Sequence, residues 1–408
     1  MTERPEVVII GGGITGLVAA YELSAPRDQT PSSAPRITVL EAAGHLGGKI
    51  IPLDFGDRIL DGGPDGALAR RPEFESLCAQ LGINDHLRPI AQSGASVFAK
   101  GRLRRMPEQL VLGVPTDFAA LRQSKVLSVR GLLRAAKDRF WPTPASRGPL
   151  GDRPIGPLVA TELSRVLADR GVTIVTQAAV TSLVRRAGTS SGWSVNTDTT
   201  TMPADAVLIA VPAAPAADLL RPHDDEAASL LDQIDYSSVA IATFTFEAAD
   251  LELPEMGTGA LIPSGSKVPS GERRGQRFLA TALTYLDRKW PHLAREGEVT
   301  LRVHCGKIDD LRIAELDDHA LMDALVEELG SLLPMGSRPV RRSLQRWSDS
   351  LPQYRVNHLL RVAGIEAGVD RLSGIEIAGA ALRGVGVPAC IEQGRNAAAR
   401  IDAGLRSR

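Results

Sequence analysis

Val7-Val8-Ile9-Ile10-Gly11-Gly12-Gly13-Ile14-Thr15-Gly16-Leu17 is the stretch on which the fold turns. Four β-branched residues in a row suit a strand covered on both faces. The glycines that follow fit G-x-G-x-x-G: Gly11 permits a tight turn, Gly13 lets the backbone approach a pyrophosphate, and Gly16 lets the next helix pack closely on the strand. That helix runs through Leu17 to Leu23, and its N-terminus attracts phosphate charge. Arg36 to Glu41 reads as the second strand, with Glu41 at its end, where an acid can bind both ribose hydroxyls. The spacing from Gly16 to Glu41 is long, and the polar, proline-bearing loop Ala25 to Pro35 accounts for it. A glycine turn alone can be a plain βαβ connection. Strand before, helix after and acid beyond make it a dinucleotide site.

Two features further out favour FAD over NAD. Gly47-Gly48-Lys49 and Asp61-Gly62-Gly63-Pro64 follow Glu41 closely, and glycines there let a loop pass near a diphosphate and a flavin. At the far end, Gly384-Val385-Gly386-Val387-Pro388 opens a helix of small residues, and Pro388 suits a first helical turn. A helix start aimed at the flavin N1 and C2 carbonyl would stabilise the anion formed on reduction. A plain helix start is the alternative for that turn taken by itself.

The rest of the composition narrows the class. At 408 residues the chain exceeds one compact core and reads as two or more lobes. Its 47 basic and 48 acidic residues leave no electrostatic footprint for nucleic acid. The apolar start from Val7 to Leu23 is broken by glycines and preceded by charges, so no spanning helix is expected; peripheral membrane contact through an exposed apolar patch stays open. Three distant cysteines imply no disulfide framework and a cytoplasmic home. The seven histidines lack H-x-x-x-H or H-E-x-x-H spacing and there is no C-x-x-C, so no metal site is expected. No G-x-S-x-G supports a serine hydrolase. Cys78 reads as core. Cys390, near the flavin end, reads as a small packing residue, with a covalent flavin link as the alternative.

Periodicity and turn signals place the remaining elements. Pro72 to Leu81 is an amphipathic helix closed by Gly82, and Leu158 to Arg170 is a helix ended by Gly171. Strands are expected at Val172 to Val175, Trp193 to Val195, Ala206 to Val211, Val239 to Phe246, Phe278 to Tyr285 and Val299 to Val303. A helix follows at Asp318 to Leu333, and the chain closes with a strand at Gly374 to Ala378 and a helix from Pro388 to about Ile401. Residues 120 to 157 differ in texture, basic and proline-rich, as at a boundary or a surface excursion.

Several blocks in order resemble the bacterial porphyrinogen oxidases of haem synthesis, the water-soluble coproporphyrinogen III and protoporphyrinogen IX oxidases of the FAD amine-oxidase superfamily. Val7 to Leu17 resembles the family start, followed by Gly48-Lys49-Ile50. Gly63-Pro64-Asp65 is similar to a Gly-Pro-Asp-Ser turn, with Gly66 in place of the serine. Further blocks are Arg102 to Pro115, Lys289-Trp290-Pro291-His292, Arg346-Trp347 with Pro352-Gln353-Tyr354 and His358, and Gly384 to Pro388 with Cys390-Ile391.

The resemblance implies FAD contacts at Gly11, Gly12, Gly13, Ile14, Thr15, Gly16, Glu41, Ala42, Lys49, Gly63, Pro64, Asp65, Gly66, Val180 (through its backbone), Trp347, Val385, Gly386 and Val387. It implies an α/β fold, α+β in part: a Rossmann-like FAD domain from 1–90, 156–235 and 365–408, and a strand-rich substrate domain with a small helical part from 91–155 and 236–364. The implied chemistry removes hydride from a porphyrinogen carbon to flavin N5 with loss of a ring N–H proton, and dioxygen then reoxidises the flavin, giving hydrogen peroxide. The flavin carries the hard step, and no side chain is expected as a catalytic acid or base. Coproporphyrinogen III is favoured over protoporphyrinogen IX by the Gly-Pro-Asp turn. One departure stands out. The family's long helical segment with a Gly-(Val/Ile)-Tyr-Ala-Gly stretch has no counterpart, and Pro149 to Leu158 runs almost directly into the helix before Val172. A lobe shortened near 142–158 leaves two rivals: a related FAD oxidase acting on another substrate such as an amine, and an FAD-binding homologue with impaired catalysis.

Overall fold

A computed structural model describes residues 4–25, 34–68, 71–92, 94–106, 110–111, 114–115, 146–148, 154–188, 192–255 and 257–407. Most of the expected loop Ala25 to Pro35, part of the Arg102 to Pro115 block and most of the stretch 120–157 lie outside the described residues.

The β-branched run forms strand Glu6–Ile10, the middle of a five-stranded sheet ordered Thr173–Val175, Arg36–Leu40, Glu6–Ile10, Ala206–Ile209, Ile375–Ile377. Every pairing is parallel, so both faces need a cover. Alternate residues supply it. Val7 and Ile9 enter one apolar core with helices Ile14–Leu23, Ile155–Asp169 and Val387–Arg406. Val8 and Ile10 enter a second core with helices Ala213–Leu220 and His358–Asp370 and with strand Trp193–Thr197. This period-two division is what a doubly covered sheet requires. The last helix returns to the first at Gly394, where an added Cβ would lie 2.5 Å from the Thr15 carbonyl oxygen. Both ends of the chain therefore meet beside the glycine turn.

The second sheet has seven strands, ordered Arg341–Pro352, Tyr236–Glu247, Glu298–Cys305, Ala280–Tyr285, Gly259–Leu261, Ser96–Ala99, Arg102–Arg105. Its pairings are antiparallel apart from Gly259–Leu261 against Ser96–Ala99. One face is apolar: Ala242, Phe244, Leu301 and Val303 share a core with Leu321, Leu325 and Leu329 of helix Asp318–Leu332. The other carries Thr243, Thr245, Thr300 and Arg302, all buried. That polar face meets hairpin Pro52–Phe55/Arg58–Asp61: Arg58 donates to Glu298 at 3.0 Å and to Thr300 at 2.9 Å. Among the described residues no helix is long and apolar enough to cross a membrane.

The expected elements that form differ mainly at their edges. Helix Ile155–Asp169 starts three residues early, because Pro154 caps it and Pro157 sits in its first turn. The last helix extends to Arg406. Hairpin Pro52–Phe55/Arg58–Asp61, strands Ser96–Ala99, Arg102–Arg105 and Val180–Arg185, helices Ala213–Leu220 and Asp225–Asp232, strand Arg341–Pro352 and helix His358–Asp370 have no counterpart among the expected elements. Position 365 lies inside that helix, whose Val362, Ile365 and Val369 all face the second core of the parallel sheet.

Candidate functional site

Each glycine of the turn has its own physical role. Gly11 has φ +111°, its N–H donates to the Leu40 carbonyl at 2.8 Å, and a Cβ would lie 2.5 Å from the Ala210 carbonyl oxygen. Only glycine fits there. A Cβ at Gly16 would collide with the Gly11 carbonyl oxygen, so this glycine brings the helix onto the turn. Gly13 is different: no atom lies within 4 Å of where its Cβ would stand. It is the N-cap of helix Ile14–Leu23 and gives it no side-chain cap, so the first-turn N–H groups of Ile14, Thr15 and Gly16 lack intrahelical acceptors. Open space in front of an uncapped helix start is a cradle for an anion.

Glu41 is fixed beside this cradle. Its two carboxylate oxygens accept the Gly12 and Ala43 N–H groups, each at 2.7 Å, and each oxygen keeps a further lone pair for hydroxyls. The backbone of Ala178 donates to the Glu41 carbonyl at 2.9 Å and that of Gln177 to the Ala43 carbonyl at 3.0 Å. The segment leading into strand Val180–Arg185 thus runs alongside Glu41 and Ala43, while the Ala42 side chain is exposed.

The second glycine loop folds back onto the first. Gly47 donates to the Gly12 carbonyl at 2.9 Å and forms a bridge with Gly13. Lys49 follows, its ammonium pKa lowered by burial, with Cys390 acting in the opposite direction. A Cβ at Gly63 would strike the Lys49 carbonyl, so this loop and the next are in contact. Trp347, on the edge strand of the second sheet, donates from its indole to the Gly62 carbonyl at 3.1 Å. Pro64 is exposed and Gly66 half-buried.

Asp65 turns toward the second sheet. Its two oxygens bond the Lys289 ammonium at 2.8 and 2.9 Å, and the Trp290 indole lies 3.4 Å away. Burial works to raise its pKa, but Lys289 and Arg302 outweigh that and hold the carboxyl at about 2. Asp61 lies nearby with the opposite balance: burial raises its carboxyl to about 7, Arg302 opposing and Asp65 reinforcing the shift. Arg302 donates to the Asp61 carbonyl, and His304 is pushed down to about 4, mainly by burial. The sequence offered a sign of this cluster, a charged residue at a buried register of the expected strand Val299 to Val303, but no role was expected for Arg302.

At the other end of the chain, Gly384 has φ +141°, and Gly386 is the N-cap of helix Val387–Arg406 without a side-chain cap. Val385 is 45% exposed on this turn. Cys390 is buried, its Sγ 3.7 Å from the Gly384 carbonyl, and burial is the main reason its thiol pKa is raised. The Thr15 hydroxyl works the other way, lowering it, and Cys390 lies in the core shared by the first and last helices, which fits a packing residue between the two glycine turns.

Two uncapped helix starts, an acid held for hydroxyls and glycine loops from three parts of the chain fit a long dinucleotide such as FAD. Residues 14–149 and 156–402 match the family of flavin containing amine oxidoreductases. The coproporphyrinogen III oxidase of Bacillus subtilis is 26% identical, with 97% of each chain covered. That of Mycobacterium leprae is 27% identical, with 96% of each covered. A solved structure from Exiguobacterium sp. 255-15 superposes with a TM-score of 0.79 at 23% identity over 99% of both chains, which shows the shared fold. FAD is the cofactor of this chain. With the match running from the first helix, at Ile14, through the turn Gly384–Pro388 and into the last helix, the chain belongs to the flavin containing amine oxidoreductases.

Proposed function

We propose that this protein is an FAD-dependent porphyrinogen oxidase of haem synthesis, acting on coproporphyrinogen III in the cytoplasm with dioxygen as electron acceptor and hydrogen peroxide as product. The observation that carries this reading is the similarity, nearly end to end, to the coproporphyrinogen III oxidases of Bacillus subtilis and Mycobacterium leprae. Supporting it, Leu351, Val356, Leu359 and Leu360 are exposed on the same segment as Tyr354 and His358, whose side chains bond backbone groups at Ala380, Leu382 and Gly384, and we read them as an apolar rim suited to a tetrapyrrole macrocycle.

In this reading Ile14, Thr15 and Gly16 give backbone N–H groups to the pyrophosphate, with Gly13 leaving it room, and Glu41 accepts from ribose. Lys49, Gly63, Gly66 and Trp347 line the middle of the cofactor, and Val385, Gly386 and Val387 its flavin end. Bound FAD supplies a two-electron acceptor for hydride leaving a porphyrinogen carbon. The uncapped helix start at Val387 favours negative charge at the flavin end, and the apolar rim excludes water from the reacting face. Asp65, paired with Lys289, holds its loop rather than a proton in transit. The cofactor unit comprises 1–90 and 156–235, and we place its third piece from about 358 onward, since helix His358–Asp370 packs with that unit; the rest is the substrate unit.

The B. subtilis alignment spans 470 positions against 408 residues here, so the relative has residues without counterparts. The family match breaks between 149 and 156, where the sequence jumps, and we place the shortening there. Aerobic incubation of the FAD-loaded protein with coproporphyrinogen III tests the function. Porphyrin fluorescence should rise above the autoxidation blank and faster than with protoporphyrinogen IX. Fluorescence at the blank rate, with peroxide formed from a primary amine instead, would replace this reading with that of an amine oxidase.

A further inference from the structure

The block Pro352-Gln353-Tyr354 with His358 has no part in the site as built so far. Its side chains nevertheless converge on the segment that leads into the flavin-side turn. The Tyr354 hydroxyl donates to the Ala380 carbonyl at 2.6 Å and accepts the Gly384 N–H at 2.8 Å. Nε2 of His358 lies 2.7 Å from the Leu382 carbonyl; a carbonyl only accepts, so the proton sits on Nε2. The two rings stack, with centroids 3.8 Å apart and planes 11° from parallel. From beneath, the Gln393 side-chain carbonyl accepts the Gly379 and Arg383 N–H groups at 3.3 and 3.4 Å.

At Tyr354 this is more restraint than folding needs. Tyr354 is 41% exposed, so the Ala380 and Gly384 groups that it bonds could be satisfied by water at little cost; the buried His358 covers the buried Leu382 carbonyl. A stacked Tyr–His pair gripping backbone groups at 380, 382 and 384 therefore serves accuracy of placement. The restraint ends at Gly384, whose φ of +141° and lack of room for a Cβ (2.6 Å from that of Ala389) fix the direction in which Val385 to Val387 emerge.

We propose that Tyr354 and His358 are positioning residues for the flavin: they hold the Gly384–Val387 turn, and with it the N-terminal end of the last helix, at the place where negative charge develops on reduction. This rests on reading that turn as the flavin end of the site. The dipole of a helix start acts over about one turn, and small misplacements in a preorganised site are costly.

Tyr354→Phe keeps the ring stack and removes both hydroxyl bonds. In the FAD-loaded variant the midpoint potential of the flavin should move to more negative values. Exchange of the Gly384 amide should accelerate up to roughly tenfold, as for one lost hydrogen bond, and kcat should fall roughly tenfold with KM little changed. His358→Gln, which keeps a donor toward Leu382, should stay closer to wild type in potential than His358→Ala. If the amide exchanges faster while the flavin potential and visible spectrum stay those of wild type, the pair is merely structural and the proposal falls. Should Tyr354→Phe not fold, the two His358 variants decide alone: equal, unshifted potentials overturn it. A wild-type protein that retains no flavin overturns the cofactor reading itself, a different failure from a flavin-bearing wild type whose potential ignores Tyr354.

Discussion

Gly13 is the residue at which cofactor binding separates most cleanly from folding. Its φ of −73° suits any residue and its missing Cβ faces open space, unlike Gly11 and Gly16, where a side chain meets backbone. Gly13→Val should fold with a melting temperature near that of the wild-type apoprotein and yet lose flavin, as read by absorbance after gel filtration. Normal flavin retention would place the pyrophosphate elsewhere. Asp61 gives a second residue-level expectation. Its folded-state pKa, about 7, stands above the unfolded value, so between about pH 4 and 7 the native state holds a proton that the unfolded chain has released. Stability from this group is full below that window and declines as pH rises through it. Thermal melts of the apoprotein should fall in midpoint across the window, and Asp61→Asn should flatten that decline.

Helix packing extends the same reasoning to whole elements. At Gly394 the last helix approaches the Thr15 carbonyl too closely for any side chain. Gly394→Val should force the helices apart and cost roughly 1–3 kcal/mol, measurable by urea titration, with weaker flavin retention as a consequence. Unchanged stability would mean that the contact is slack. The first half of the parallel sheet was legible because its signals are local: a β-branched run, a turn only glycine can make, an acid at the next strand end. Strand Arg341–Pro352 was not. It lies at the edge of its sheet, and its Arg342 and Arg346 pair with Asp323 and Asp318 across the surface, so its pattern is dominated by charge instead of by alternation. Helix His358–Asp370 was hidden for another reason. It begins at Asn357 in the left-handed region with no side-chain cap, and its Gly364 and Gly368 are there because a Cβ would lie 2.7 Å from Leu230 and Ala227 of a neighbouring helix. Glycines that serve close packing look, in sequence, like breaks.

Across the whole molecule, the two lobes are joined by polar contacts that the sequence did not reveal, since each partner lies more than two hundred positions from the other. Lys289 meets Asp65, Arg302 meets the Asp61 carbonyl, Trp347 meets Gly62, and Arg58 meets Glu298. These place the loop expected to line the cofactor directly on the polar face of the second sheet. Lys289→Met leaves Asp65 without its main partner and should cost roughly 1–3 kcal/mol, the penalty of an unpaired desolvated group, read as a lower denaturation midpoint with flavin still bound. An unchanged midpoint would show that the ion pair is dispensable to the joint. Whether electrons pass from a porphyrinogen to this site is tested most directly without oxygen. When coproporphyrinogen III is added anaerobically to the FAD-loaded protein, the flavin absorbance band should bleach as porphyrin bands grow in. An oxidised flavin spectrum that persists through that addition would contradict the assignment.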